Sequence, residues 1–140
     1  MTYRIAEGSL TLASEWQDQS INVLLMQDAG AKGANLVIAR EQLPLGMTFE
    51  GHVAEQRQTF KAKLDGCEVL VDTVGEVDGR AAHFLEMSWR SEGRPVRQVM
   101  VMVPAEKGMT LTFTGTIPGE FDEATRQTLV DAIVSFKFNA

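Results

Sequence analysis

The chain has 140 residues, 44% of them hydrophobic and 23% charged, with a formal net charge of -6. That is enough for one domain, spanning residues 1–140, with a single sizeable core. An acidic chain without a basic cluster is excluded as a phosphate-reading nucleic-acid binder and is repelled by acidic lipid headgroups.

Compartment follows from what the motifs leave out. Cys67 is the one cysteine, so no disulfide forms within the chain. No apolar run approaches the ~20 residues of a membrane span. The first eight residues lack the basic patch and apolar run of a signal peptide, so the expected compartment is the cytoplasm.

In chain order, residues 3–7 and 9–12 are short strand candidates broken by Gly8. Trp16 follows in a loop and is expected to plug one end of the core. Residues 20–26 form a strand in which Ile21, Val23 and Leu25 share one face, and Leu24 and Met26 the other. A strand with one wet face alternates apolar and polar residues. This one does not, so both of its faces need cover. A short connection over residues 28–33 leads to a second strand over 35–40.

Residues 48–64 read as a helix. Phe49, Val53, Phe60 and Leu64 form an apolar stripe, Thr48 is placed to cap the start, and Asp65-Gly66 ends it. Four strands then follow as a meander over 67–77, 81–90, 95–103 and 109–117. The turns between them are Asp78-Gly79, Glu92-Gly93-Arg94 and Glu106-Lys107-Gly108. Asp122 caps a second helix to about residue 135, with Leu129, Ile133 and Phe136 buried and Glu123, Arg126, Gln127 and Asp131 facing water. Phe138 pins the terminus. Consecutive hairpin-linked strands with helices set apart predict an α+β fold: a curved antiparallel sheet of about six to seven strands packed with two helices.

The strand over 95–103 repeats the two-sided pattern, with Val99, Val101 and Val103 opposing Met100 and Met102, the latter beside Gln98. Leu36 and Ile38 likewise oppose Val37 and Ala39. One account is that the helices cover one face and a curled end of the sheet covers the other. The alternative is an apolar face that receives a partner, since large exposed apolar patches mark interaction sites. The methionines suit a surface that fits varied apolar ligands. Gln98 and Gln56 can supply amide hydrogen bonds in such a site.

Catalytic patterns are missing. His52 and Glu55 lie three apart on the first helix and are the one acid–base pair on offer. His83 reads as structural, and Cys67 has neither a Cys-x-x-Cys partner nor a basic neighbour. There is no His-Glu-x-x-His, no phosphate-cradling Gly run and no Gly-x-Ser-x-Gly elbow, so no enzymatic activity, metal or cofactor is expected.

Several stretches carry a family resemblance. Tyr3-Arg4 and Trp16-Gln17-Asp18-Gln19-Ser20-Ile21-Asn22-Val23-Leu24 are followed in the same order by Leu36-Val37-Ile38-Ala39-Arg40-Glu41, Gln56, and Val96-Arg97-Gln98-Val99. Over nearly its whole length the chain resembles the DcrB-related family, and within it the Eag class, the effector-associated chaperones of bacterial type VI secretion. The resemblance implies a PsbP-like fold and a non-enzymatic homodimer. It also implies a partner: a toxin effector with a PAAR-containing region, whose hydrophobic N-terminal transmembrane helices are shielded and loaded for export. Carried over by position, Ile21, Val23, Val37 and Leu64 supply apolar contact, and Gln56 and Gln98 the amides. A carrier for a small lipophilic molecule, using the same face as an enclosed pocket, is the alternative.

Overall fold

Positive backbone φ at Asp78 and Gly79, at Glu92 and Gly93, and at Lys107 and Gly108 turns the chain sharply three times. Those turns link the four long strands, as the Asp78-Gly79, Glu92-Gly93 and Lys107-Gly108 pairs predict. The computed structural model describes residues 1–27 and 33–139. Along them run β1 (Thr2–Ile5), β2 (Gly8–Thr11), β3 (Asn22–Leu25), β4 (Asn35–Gln42), α1 (Phe49–Lys63), β5 (Asp65–Val77), β6 (Arg80–Ser91), β7 (Arg94–Pro104), β8 (Met109–Pro118) and α2 (Glu123–Val134). β1 and β2 make a separate two-stranded sheet. The other six form one sheet in the order β3-β4-β8-β7-β6-β5, with every pair antiparallel. The connection expected over residues 28–33 falls mostly outside the described residues.

The two helices lie on opposite faces of the sheet. Leu129 and Ile133 of α2, with Phe136 beyond it, pack with Leu36, Val101, Val103, Leu111, Phe113 and Ile117. Phe49, Val53, Phe60 and Leu64 pack instead with Leu85, Met87, Met100 and Met102. The valines and methionines of β7 therefore do separate, as strand parity requires. One helix on each face rules out the account in which both helices cover the same face. α1 begins as predicted: Thr48 Oγ1 accepts from Gly51 N at 3.0 Å.

On the α2 face, Glu86 of β6 is 4% exposed amid apolar neighbours. Arg97 donates to one carboxylate oxygen at 2.7 Å and Arg126 reaches the other at 2.8 Å. Burial pushes the Glu86 carboxyl up, but the hydrogen bonds and charges of Arg126 and Arg97 outweigh it and hold it below the ordinary carboxylate value. Arg126 was expected to face water. It is half-buried instead, because an uncompensated carboxylate there would cost several kcal/mol. Asp122 stands at the N-cap of α2, where its carboxylate accepts from Thr125 Oγ1 at 2.6 Å. The C-terminal tail is pinned as predicted: the Phe138 N–H donates to Asp78 at 2.9 Å, and the Arg80 guanidinium lies 3.5 Å from the Phe138 ring centroid.

Trp16 does not plug the core. It is 63% exposed and lines a cleft with Met1, Leu10 and Leu12, beside the separate β1–β2 sheet.

Candidate partner-binding surface

Strand register decides which side chains share the face that α1 partly covers. Across the sheet, Val23 lies opposite Val37, Val37 opposite Thr114, Thr114 opposite Met100, and Met100 opposite Leu85. The adjoining rung runs Leu25, Asn35, Thr116, Gln98, Met87. α1 sits on the Met100, Met102, Leu85 and Met87 end of these rungs. The other end is open. Ile21, Val23 and Leu25 are 60%, 61% and 62% exposed, and Val37, Ala39, Thr112, Thr114 and Thr116 are only half-buried. Among the described residues nothing covers the Ile21, Val23 and Leu25 face, while on the other side of the strand Leu24 is exposed and Met26 packs against the α2-side core.

α1 forms one bank of this surface and is held in place by polar contacts to the sheet. His52, expected beside Glu55, is buried and its Nε2 lies 3.3 Å from Glu41 Oε2 on β4. Arg57 donates to Asp72 of β5, which also pairs with His83 of β6. The Arg57 hydrogen bond holds the Asp72 carboxyl below its ordinary range. Gln56 lines a cleft of about 530 Å³ between α1 and the sheet, together with Ile21, Ala39, Glu41, His52 and Glu55. Burial pushes the Cys67 thiol up, away from the thiolate that chemistry would need.

The predicted residues do not all fall in one place. Ile21 and Gln56 meet in the cleft, and Val23 faces Val37 across the β3–β4 pair. Gln98 lies two strands further in. Its Oε1 accepts from Trp89 Nε1 at 2.9 Å and its Nε2 donates to Thr116 Oγ1 at 3.1 Å, which leaves one N–H and one lone pair for a partner. Leu64, at the C-cap of α1, is half-buried against the cluster beneath the helix. Sequence reasoning missed the β8 threonines as part of the surface. Their signal was plain: Thr110, Thr112, Thr114 and Thr116 alternate with Leu111, Phe113, Gly115 and Ile117.

The cleft beside Gln56 and the one beside Trp16 both open to solvent. The open ground is a strand face.

Comparison with known proteins follows this geometry. The DcrB family model matches residues 7–135. A protein named Effector EagT6, from Pseudomonas aeruginosa, is 29% identical over 119 residues, covering 84% of this chain and 83% of its own. A Pseudomonas aeruginosa protein of unknown function, PA94, superposes with a TM-score of 0.79 at 25% identity, over 100% of this chain and 97% of the other. The cyanobacterial PsbP protein CyanoP from Synechocystis shares the fold at a TM-score of 0.53 and 15% identity, over 82% of this chain and 79% of the other. The sheet-and-helix arrangement is thus PsbP-like. With its family model matched over most of its length and an Eag protein among its relatives, this chain belongs to the DcrB family.

Proposed function

We propose that this protein is an effector-associated chaperone of a bacterial type VI secretion system. It holds the hydrophobic N-terminal transmembrane helices of a PAAR-containing toxin before export. It acts as a homodimer in the cytoplasm and without catalysis. The observation that carries this reading is the uncovered apolar end of the sheet face, with Ile21, Val23 and Leu25 standing mostly in water. Similarity to Effector EagT6 supports the effector-associated part.

The physics of the role is direct. A membrane helix outside lipid must have its apolar surface covered, and lipid tails and aliphatic side chains are alike in polarity. In this reading Ile21, Val23 and Val37 supply that cover. Gln56 and the spare valences of Gln98 meet polar atoms of the helix, and Leu64 supports the far end of α1. A ~20-residue helix is about 30 Å long, so two copies cover more of it than one. Among the described residues no helix is long and apolar enough to cross a membrane itself.

The test is co-expression with a tagged N-terminal segment of the effector. Wild type should co-purify with the segment and keep it soluble. Failure to retain it, with the chaperone folded, overturns the reading.

A further inference from the structure

Gln98 and Trp89 lie on neighbouring strands, on the face that α1 partly covers. Gln98 of β7 stands opposite Met87 of β6, and Trp89 is two residues further along β6. The two are therefore diagonal neighbours with side chains on one side of the sheet. Both are partly buried. The Trp89 indole Nε1–H donates to Gln98 Oε1 at 2.9 Å, and Gln98 Nε2 donates to Thr116 Oγ1 of β8 at 3.1 Å. The amide is thus strung across three strands, its oxygen turned to β6 and its nitrogen to β8.

These two bonds differ in what they enforce. A threonine hydroxyl both donates and accepts, so Thr116 serves either end of the amide. An indole N–H only donates. Turning the Gln98 amide over would set its N–H groups against the indole N–H and leave donors facing each other in a partly buried place, at the full desolvation cost of an unmade bond. Trp89 therefore decides which way the amide points. The spare N–H of Gln98 is left on the Thr116 side, towards the open ground of β8, β4 and β3.

That polarity matters to a helical partner. Beyond the first turn of a helix every N–H is already bonded, whereas each carbonyl oxygen keeps a second lone pair. An apolar helix laid on this face has acceptors to offer and no donors. A glutamine that showed it only an oxygen would stay unpaired beneath it. We infer that Trp89 is a positioning residue: its indole fixes Gln98 as a hydrogen-bond donor, and so fits the open face to a segment that presents carbonyl or hydroxyl oxygens. The inference rests on the proposed function for the partner, but the fixed amide is a property of the free chain, so the two can be tested apart.

The first arm of the experiment needs no partner. It follows exchange of the Trp89 indole N–H with water by NMR in the full chain. Gln98→Ala should speed that exchange at least about tenfold, since it removes the acceptor. The indole of Trp16, 63% exposed, is the internal reference and should not change. The second arm is competition between wild type and variants for the tagged N-terminal segment of the effector. Trp89→Phe keeps a ring and removes the donor. It should weaken retention about tenfold in the wild-type chain, because the Gln98 oxygen is then buried without its donor. In the Gln98→Ala chain the same change should cost nothing further, whereas a loss of packing alone would cost the same in both. Indole exchange that ignores Gln98→Ala overturns the inference. So does a Trp89→Phe chain that retains the segment as wild type does, or one that loses it equally in both backgrounds. If Trp89→Phe does not fold, the exchange arm decides. A wild-type chain that retains no segment sinks the chaperone reading, while indole protection that depends on Gln98 still upholds the fixed amide.

Discussion

Replacing Ile21 and Val23 together by Asp puts two charges where the cargo helix is expected to lie. Both side chains are about three-fifths exposed in the free chain, so each has roughly 100 Å² of apolar surface left to offer. At ~25 cal/mol per Å² that is about 5 kcal/mol of gross contact for the pair. Forcing carboxylates against an apolar helix adds a desolvation penalty of at least about 2 kcal/mol. Even if half the gross contact is lost to ordering, the net loss is ~4 kcal/mol, or about 1,000-fold in affinity. Folding should hardly notice. The side chains already stand in water on an edge strand, and strand propensity is worth up to ~1 kcal/mol in total. The bonds that anchor this segment to β4, Arg40 Nη1 to Ser20 O at 3.2 Å and to Asn22 Oδ1 at 2.9 Å, are untouched. The assay is co-purification of the effector segment alongside a thermal melt. Cargo retained at wild-type level would refute the placement. A large drop in Tm would show instead that these residues are structural.

Three further outcomes follow from the fold. Glu86→Gln should cost about 2–3 kcal/mol at pH 7 by chemical denaturation, less than a fully buried pair because Arg97 and Arg126 are partly in water. The folded Glu86 carboxyl titrates below its ordinary value of 4.5, so its stabilisation is fully present above that pH and drains away as pH falls through the folded pKa; the Gln variant should lose less stability than wild type in that acid window. Gly75→Ala should destabilise by about 1–3 kcal/mol in the same assay, because the new Cβ would come within 2.6 Å of the Phe84 ring. Thr48→Ala should cost about 1 kcal/mol by removing the cap of α1, and hydrogen exchange should show its first turn fraying.

Much of this was legible in local pattern. The α1 stripe, the three glycine turns and the Val–Met split of β7 depend on neighbours in sequence, and periodicity reports them faithfully. The parity of Ile21, Val23 and Leu25 likewise showed that β3 lacks polar relief. What parity could not show was which face each helix takes, since that depends on how the whole sheet packs. His52 is the plainest case: Glu55 is near in sequence, but Glu41 is near in space. Arg126 is another. A helix wheel puts it on the wet side, while Glu86 of β6 draws it inward. Glu86 shares strand parity with the α2-face residues Ala82 and Phe84, so a buried carboxylate in need of cations was readable there and was overlooked. Trp16 was misjudged because a lone aromatic in a loop carries no periodicity to say where it points.

The most direct measurement is site-specific photo-crosslinking of the chaperone–effector complex. A benzophenone side chain at Val23 should capture the hydrophobic N-terminal segment of the effector. The same group at Val134, exposed on α2 across the sheet, should not. Capture from Val134 and none from Val23 would contradict the account.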